Sequence, residues 1–239
     1  MDPLFRVRAL SRTAFPQKLV WQAMHQDYSE EFVAEESFPT EHDAGLLVVR
    51  HLLKGDKGHY GPLEHPSITF NVGFFPHDVM QQARTHRVAV SFDVQSGRYT
   101  GQRLVDLANG ELDVDQVFYR RPVGVYRDRQ GKQYEYTEQQ REIDRILFLD
   151  IAGRYKLDIE NGFSEEHARR HVPYALRQHF VVTFNLRSLL HFLDLRAKKD
   201  AQLEITQLCD LLWPHLEEWT PAIAGWYGET RLHRARLAP

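Results

Sequence analysis

Two stretches constrain this chain more than anything else in it. Residues 66–75, "PSITFNVGFF", alternate and are rich in Ile, Thr, Val and Phe, which predicts a β-strand. They run straight into 76–86, "PHDVMQQARTH", which predicts a helix with Pro76 near its start. The same order recurs at 177–184, "RQHFVVTF", a predicted strand, followed by the predicted helix 186–199, "LRSLLHFLDLRAKK", with Asn185 as its cap. Strands of this kind must be buried in a sheet, and the helices that follow must pack against it.

The remaining pattern fills in around them. Residues 5–10 and 113–121 are predicted strands. Helices are expected over 16–30, over 41–55 with Gly55 as the stop, and over 137–157, where Ile143, Ile146, Leu147, Leu149 and Ile151 give apolar faces. Another is expected over 164–172, with Ser164 as N-cap and Pro173 ending it. A last helix is expected over 201–219, with Pro214 as a kink point. Strands and helices do not alternate as a doubly wound parallel sheet requires, so the fold class is α+β, a mixed, mainly antiparallel sheet with packed helices. There is neither a repeat nor a low-complexity linker, and 239 residues suit one domain spanning 1–239.

Composition narrows the function. Hydrophobic residues make up 42% and charged residues 26%, the balance of a globular protein. A net charge of −3 opposes a nucleic-acid-binding polycation, so basic chemistry must be local. The single cysteine, Cys209, excludes an internal disulfide framework and a Cys-rich zinc site, and its leucine-rich surroundings predict a buried, inert thiol. No run approaches the ~18 apolar residues of a transmembrane helix. "MDPLFRVRAL" lacks the apolar core of a signal peptide, so the cytoplasm is the expected location, without membrane partners.

The local basic chemistry lies in residues 84–103, "RTHRVAVSFDVQSGRYTGQR". They carry four arginines, one histidine, two serines and a single acid, Asp93. Guanidinium forks bind oxyanions well, and Ser96-Gly97-Arg98 adds a hydroxyl, an accessible backbone and another fork. Together they suit a phosphate. In "RSLLHFLDLR" (187–196), Arg187 and His191 share a helix face, and Arg196 among apolar neighbours needs a partner: an acid, a ligand or another subunit. "HYGPLEHP" (59–66) offers His59, Glu64 and His65, but without the spacing of a zinc-binding helix, and we expect no metal site. The strand–Ser–helix elbow of a hydrolase is absent, as are the Gly-rich Rossmann and P-loop turns.

At these residues the chain resembles the flavin-dependent thymidylate synthase family (ThyX). Its hallmark is Arg-His-Arg, seven or eight residues, then Ser-x-Arg-Tyr. Here Thr85-His86-Arg87 is followed by eight residues and Ser96-Gly97-Arg98-Tyr99. "GPLEHPSITF" is similar to the family's segment before the hallmark, and "NLRSLLHFLDLRAKKDAQLEI" to its C-terminal segment; Arg169 and Pro173 fall where the family has an arginine and a proline. The resemblance covers roughly residues 45–210, and three matches in order make chance a poor explanation.

The resemblance implies a ThyX-like fold, a homotetramer with shared active sites, and reductive methylation of dUMP to dTMP. Methylenetetrahydrofolate would supply the carbon, NADPH the electrons, and FAD would carry the hydride. It further implies that Gln95, Ser96, Gly97, Arg98 and Arg169 hold dUMP, with Gln81 or Gln82 and Arg84 approaching from another subunit. His86 and Arg87 would contact FAD, as would His59, Gly61 and Glu64 from one segment and Asn185, Arg187 and His191 from another. Arg196 would face the uracil and favour ionisation at its N3. The chain departs from the pattern at Thr85, where the family has its first arginine and Arg84 stands one residue earlier. It departs also at Val94 in place of a common Glu, at His191 for Asn, and at Gly61 for a hydroxyl residue. A phosphoryl-ligand or nucleic-acid-binding module without catalysis would use the same basic loop, and a His/Glu metal hydrolase would use the histidines.

Overall fold

The computed structural model describes residues 1–55, 58–128 and 130–234. In chain order its elements begin β1 (Arg6–Arg12), α1 (Pro16–Gln26), α2 (Glu41–Val48), β2 (Ser67–Pro76), α3 (His77–Ala83) and β3 (Val90–Val94). There follow α4 (Gln102–Ala108), α5 (Val114–Val117), β4 (Gly124–Arg127), β5 (Gln133–Tyr136) and α6 (Glu138–Glu160). The chain continues with α7 (Glu165–Ala168), β6 (Arg177–Asn185), α8 (Leu186–Arg196), α9 (Leu203–Trp219) and α10 (Pro221–Thr230). One sheet has the order β1-β2-β6-β3, and β4 and β5 form an antiparallel pair in which Gly124 faces Tyr136. The fold is α+β, as the sequence predicts.

The two strand–helix junctions that dominate the sequence are both present, and their strands are neighbours in the sheet. Pro76 is the N-cap of α3, and α3 ends at Ala83, so Thr85, His86 and Arg87 lie beyond the helix. Asn185 caps α8 by accepting a hydrogen bond from the Ser188 N–H. Residues 41–55 begin as α2 and end in a wider π-turn over Val49–Leu53, and Gly55 takes the left-handed backbone (φ +91°) that ends it.

The chain divides into two compact units. The first comprises Met1–Arg6, Val72–Arg84 and Asp93–Phe180; the second comprises Val7–Asn71, Thr85–Phe92 and Val181–Pro239.

In the first unit, Leu104 and Leu107 of α4, Val117, Phe118, and Phe148, Ala152 and Tyr155 of α6 form one core, with Phe118 stacked on Phe148 at 4.6 Å. Residues 113–121 are not the expected strand. The Gln116 side chain accepts from the Asp113 N–H, closing a helix-opening box that starts α5, and only Phe118 bridges to Leu176 in antiparallel fashion. The alternation of apolar residues was real, but local capping by Asp113 and Gln116 outweighs it over four residues. The 164–172 helix is likewise shorter. It is α7 followed by a 3-10 turn, Arg169–His171, that ends before Pro173. At Gly101 a Cβ would stand 1.9 Å from the Tyr155 hydroxyl, so glycine is what admits the buried tyrosine beneath the start of α4.

In the second unit, Leu189, Leu190, Phe192 and Leu193 of α8 are buried with Ile205, Leu208, Cys209 and Leu212 of α9. Each such side chain contributes roughly 1.5–3 kcal/mol. Asp194 is buried within this core and is fully engaged: it accepts from Tyr227 (2.8 Å) and pairs with Arg231 (2.7 Å), which ties α8 to α10 and the residue beyond it. Helix α10, the hairpin β4–β5, β3 and α4 were not foreseen from the sequence. No described helix is long and apolar enough to cross a membrane.

Candidate functional site

Each unit contains a cavity rich in the residues singled out above. In the second unit it measures about 570 Å³, within the range of ~300–1,000 Å³ usual for small-molecule sites. The start of α8 builds one wall. Asn185 caps the helix, Arg187 follows it, and Ser188 donates its hydroxyl to the Val88 carbonyl at 2.7 Å, fastening the 85–90 segment to α8. Arg187 extends to Glu64, Nη1 to Oε1 at 2.6 Å, an ion pair with both partners substantially exposed. At the other end of the helix, Arg196 donates from Nε to His86 Nε2 (3.0 Å) and from Nη2 to Thr85 Oγ1 (2.9 Å).

That geometry fixes the state of His86. A ring nitrogen that accepts from a guanidinium carries no proton, so His86 is the neutral tautomer protonated at Nδ1. Its surroundings agree. His86 is 8% exposed, and burial, then the Arg196 charge, then nearby His191 bring its pKa down to about 4. Burial also pushes Arg196 downward from the usual arginine value. A neutral imidazole here orients the arginine without cancelling its charge.

The first unit's cavity is larger, about 770 Å³. Helix α3 contributes His77 and Gln81, whose side chains are bonded at 2.8 Å, and Arg84 follows as its C-cap. The loop after β3 contributes Gln95, Ser96 and Gly97. Arg169 and Arg170 come from the 3-10 turn, Arg103 from α4 and Gln178 from β6. The Arg169 side chain approaches Gly97 so closely that a Cβ there would meet its Cδ at 3.6 Å. Burial, then the Arg84 charge, lowers His77; burial, then the Arg103 charge, lowers neighbouring His179. Both imidazoles are biased toward neutrality, and the lining charge is carried by guanidinium groups.

The expected residues divide between the two cavities, with Arg196 lining the second unit's cavity rather than the one that holds Gln95, Ser96 and Gly97. Glu64, His86, Arg87, Asn185, Arg187 and His191 line the second unit's cavity, together with Arg196. His59 and Gly61 are outside that lining: His59 bonds Asp27 at 2.8 Å, and Gly61 opens a 3-10 turn that ends at Glu64. Gln81, Arg84, Gln95, Ser96, Gly97 and Arg169 line the first unit's cavity. Gln82 and Arg98 do not; Arg98 is half exposed and pairs with Glu166 at 2.7 Å. Thr85, Ser188, Arg103, Arg170 and Gln178 line the cavities without having been foreseen. Thr85 stood in the motif as a departure from it; nothing in the sequence marked Gln178. Among the described residues, no group of three His, Cys, Asp or Glu is arranged to hold a metal.

An α+β chain with two arginine-lined cavities of this size belongs among proteins that handle anionic small molecules. Comparison with known proteins narrows the class. The sequence profile of the family described as "Thymidylate synthase complementing protein" matches residues 8–222. A flavin-dependent thymidylate synthase of Halobacterium salinarum is 34% identical over 98% of this chain and 100% of its own length; that of Haloarcula marismortui is 33% identical over 98% and 99%. Among solved structures, the UMP/dUMP methylase PolB of Streptomyces cacaoi, bound with 5-Br dUMP, has a TM-score of 0.73 at 21% identity, covering 98% of this chain and 97% of its own. Thymidylate Synthase X of Helicobacter pylori, with FAD and dUMP, has a TM-score of 0.64 at 17% identity, covering 92% and 99%. The chain belongs to the flavin-dependent thymidylate synthase family.

Proposed function

We propose that this protein converts dUMP to dTMP, with FAD as cofactor, methylenetetrahydrofolate as one-carbon donor and NADPH as reductant. The observation that carries the reading is the convergence of residues from two distant segments, 85–87 and 185–196, on one cavity of the second unit. The donor set fits FAD: Arg87 and Arg187 suit a diphosphate, and the Asn185 and Ser188 end of α8 with the neutral His86 ring suits a planar heterocycle. When bound, FAD supplies hydride transfer.

The chain's own residues do the rest. Arg196, aimed by His86 and Thr85, presents a permanent positive charge that stabilises negative charge developing on uracil at N3. Glu64 fixes the direction of Arg187. In the first unit, Gln81, Arg84, Gln95, Ser96, Gly97 and Arg169, which line one cavity of a single chain rather than meeting across a subunit boundary, receive the nucleotide, with Gln82 and Arg98 outside that lining. No thiolate is required. Cys209 is buried, and burial, then the Asp210 charge, pushes its thiol far above neutrality. We propose further that residues 1–239 act as one synthase domain, that the active form is a cytoplasmic homotetramer, and that its sites are shared between subunits.

The test is dTMP formation by the purified protein from dUMP, methylenetetrahydrofolate, NADPH and FAD. Product that depends on all four supports the reading. A folded, flavin-loaded protein that forms none overturns it.

A further inference from the structure

Arg103 is the anomaly of the first unit. Its Nη1 donates to the Arg177 carbonyl at 2.6 Å, whereas Nε and Nη2 are buried and have no hydrogen-bond partner among the described residues. These two nitrogens form one edge of the guanidinium and present parallel N–H donors, the geometry that grips two oxygens of an oxyanion. Burial pushes the Arg103 pKa down to about 10, so the group is still a cation at neutral pH. Gln178, 4% exposed on β6, has a buried carbonyl oxygen without a partner. Both residues line the same cavity.

Buried donors and acceptors of this kind cost about 1–3 kcal/mol each when unmatched, more when charged. By contrast Arg177, one residue from Gln178, satisfies its guanidinium with Asp2, Asp115 O and Phe74 O. The charge around Arg103 points the same way. Four arginines line the cavity (Arg84, Arg103, Arg169, Arg170) against one carboxylate, Glu166, which is already tied to Arg98. A ligand that brings a doubly charged oxyanion and one O–H donor would satisfy the whole set.

We propose that Arg103 and Gln178 are a further ligand-binding pair: the Nε/Nη2 edge of Arg103 takes two phosphate oxygens of a nucleoside monophosphate, and the Gln178 carbonyl accepts from a sugar hydroxyl. The identity of the nucleotide rests on the function proposed above; the oxyanion site itself does not. Neither residue is among those to which the family resemblance assigns a ligand.

The experiment measures equilibrium binding of dUMP, deoxyuridine and inorganic phosphate to the flavin-loaded protein and to its Arg103→Met, Arg103→Lys and Gln178→Met variants. Thermal midpoints and flavin absorbance report folding. Arg103→Met weakens dUMP and phosphate roughly 10- to 100-fold and leaves deoxyuridine unchanged. Arg103→Lys restores part of the loss, because charge returns without the fork. Gln178→Met weakens dUMP and deoxyuridine alike, by about 3- to 10-fold, and spares phosphate. Unchanged dUMP and phosphate binding in folded Arg103→Met, or equal losses for dUMP and deoxyuridine, overturns the proposal. If the wild type binds phosphate through Arg103 but not dUMP, the anion site stands and the thymidylate reading falls. If it binds neither, both fall.

Discussion

The two cavities solve the same electrostatic problem in opposite ways. In the second unit, the key guanidinium groups are already held by protein hydrogen bonds: Arg187 by Glu64, and Arg196 by His86 and Thr85. Cations outnumber acids at both linings, but in the first unit the Arg103 edge and Gln178 carbonyl are unmatched among the described residues. The difference teaches that one site is preorganised by its own hydrogen bonds, whereas the other stores polarity that a ligand must complete. Preorganisation suits a site that must aim a charge at a reacting ring. Excess positive potential suits capture of a small dianion.

The largest expected effect comes from breaking the preorganised side. The role proposed for Arg196 predicts that Arg196→Ala lowers dTMP formation by roughly 1,000-fold or more while flavin remains bound. Steady-state turnover beside the visible spectrum checks this; near-wild-type turnover would mean that Arg196 does not face the reacting base. The next effect is on the first unit alone. Gly101→Ala puts a methyl against the Tyr155 hydroxyl and should cost about 2–3 kcal/mol, read as a lower denaturant midpoint. An unchanged midpoint would show that Tyr155 can leave its place without penalty.

A smaller effect sharpens the comparison through pH. His86 stays neutral when folded down to about pH 4, against the ordinary imidazole value of about 6.5 when unfolded. Between those values the unfolded chain binds the extra proton. The contribution is therefore complete above pH 6.5, falls as pH drops through that window, and levels off below about 4. From pH 7.5 to 4.5 the loss should be on the order of 2–3 kcal/mol. His86→Asn should flatten this part of the stability profile, with the remainder carried by His77 and His179, which burial also biases toward neutrality. An identical profile in the variant would place the His86 pKa near its unfolded value.

Much of this was legible in the sequence, and what was not has identifiable causes. The strands β2 and β6 and the helices they feed were plain, because alternation and a cap coincide at 66–83 and 177–196. The second unit's cavity was legible for the same reason: its walls are motif segments. The expected strand at 113–121 failed because a four-residue capping box is a shorter-range signal than alternation and won locally. Arg103 and Gln178 could not be read as a pair, since they stand 75 positions apart and their importance lies in what does not bond to them. The pairing of Arg98 with Glu166, across a similar span, was equally hidden.

The most direct test of the whole account is the visible absorption of the purified protein after FAD is added and the excess removed, followed on addition of NADPH with and without dUMP. The account predicts a retained flavin band that bleaches with NADPH, and faster when dUMP is present. A folded protein that retains no flavin would contradict it.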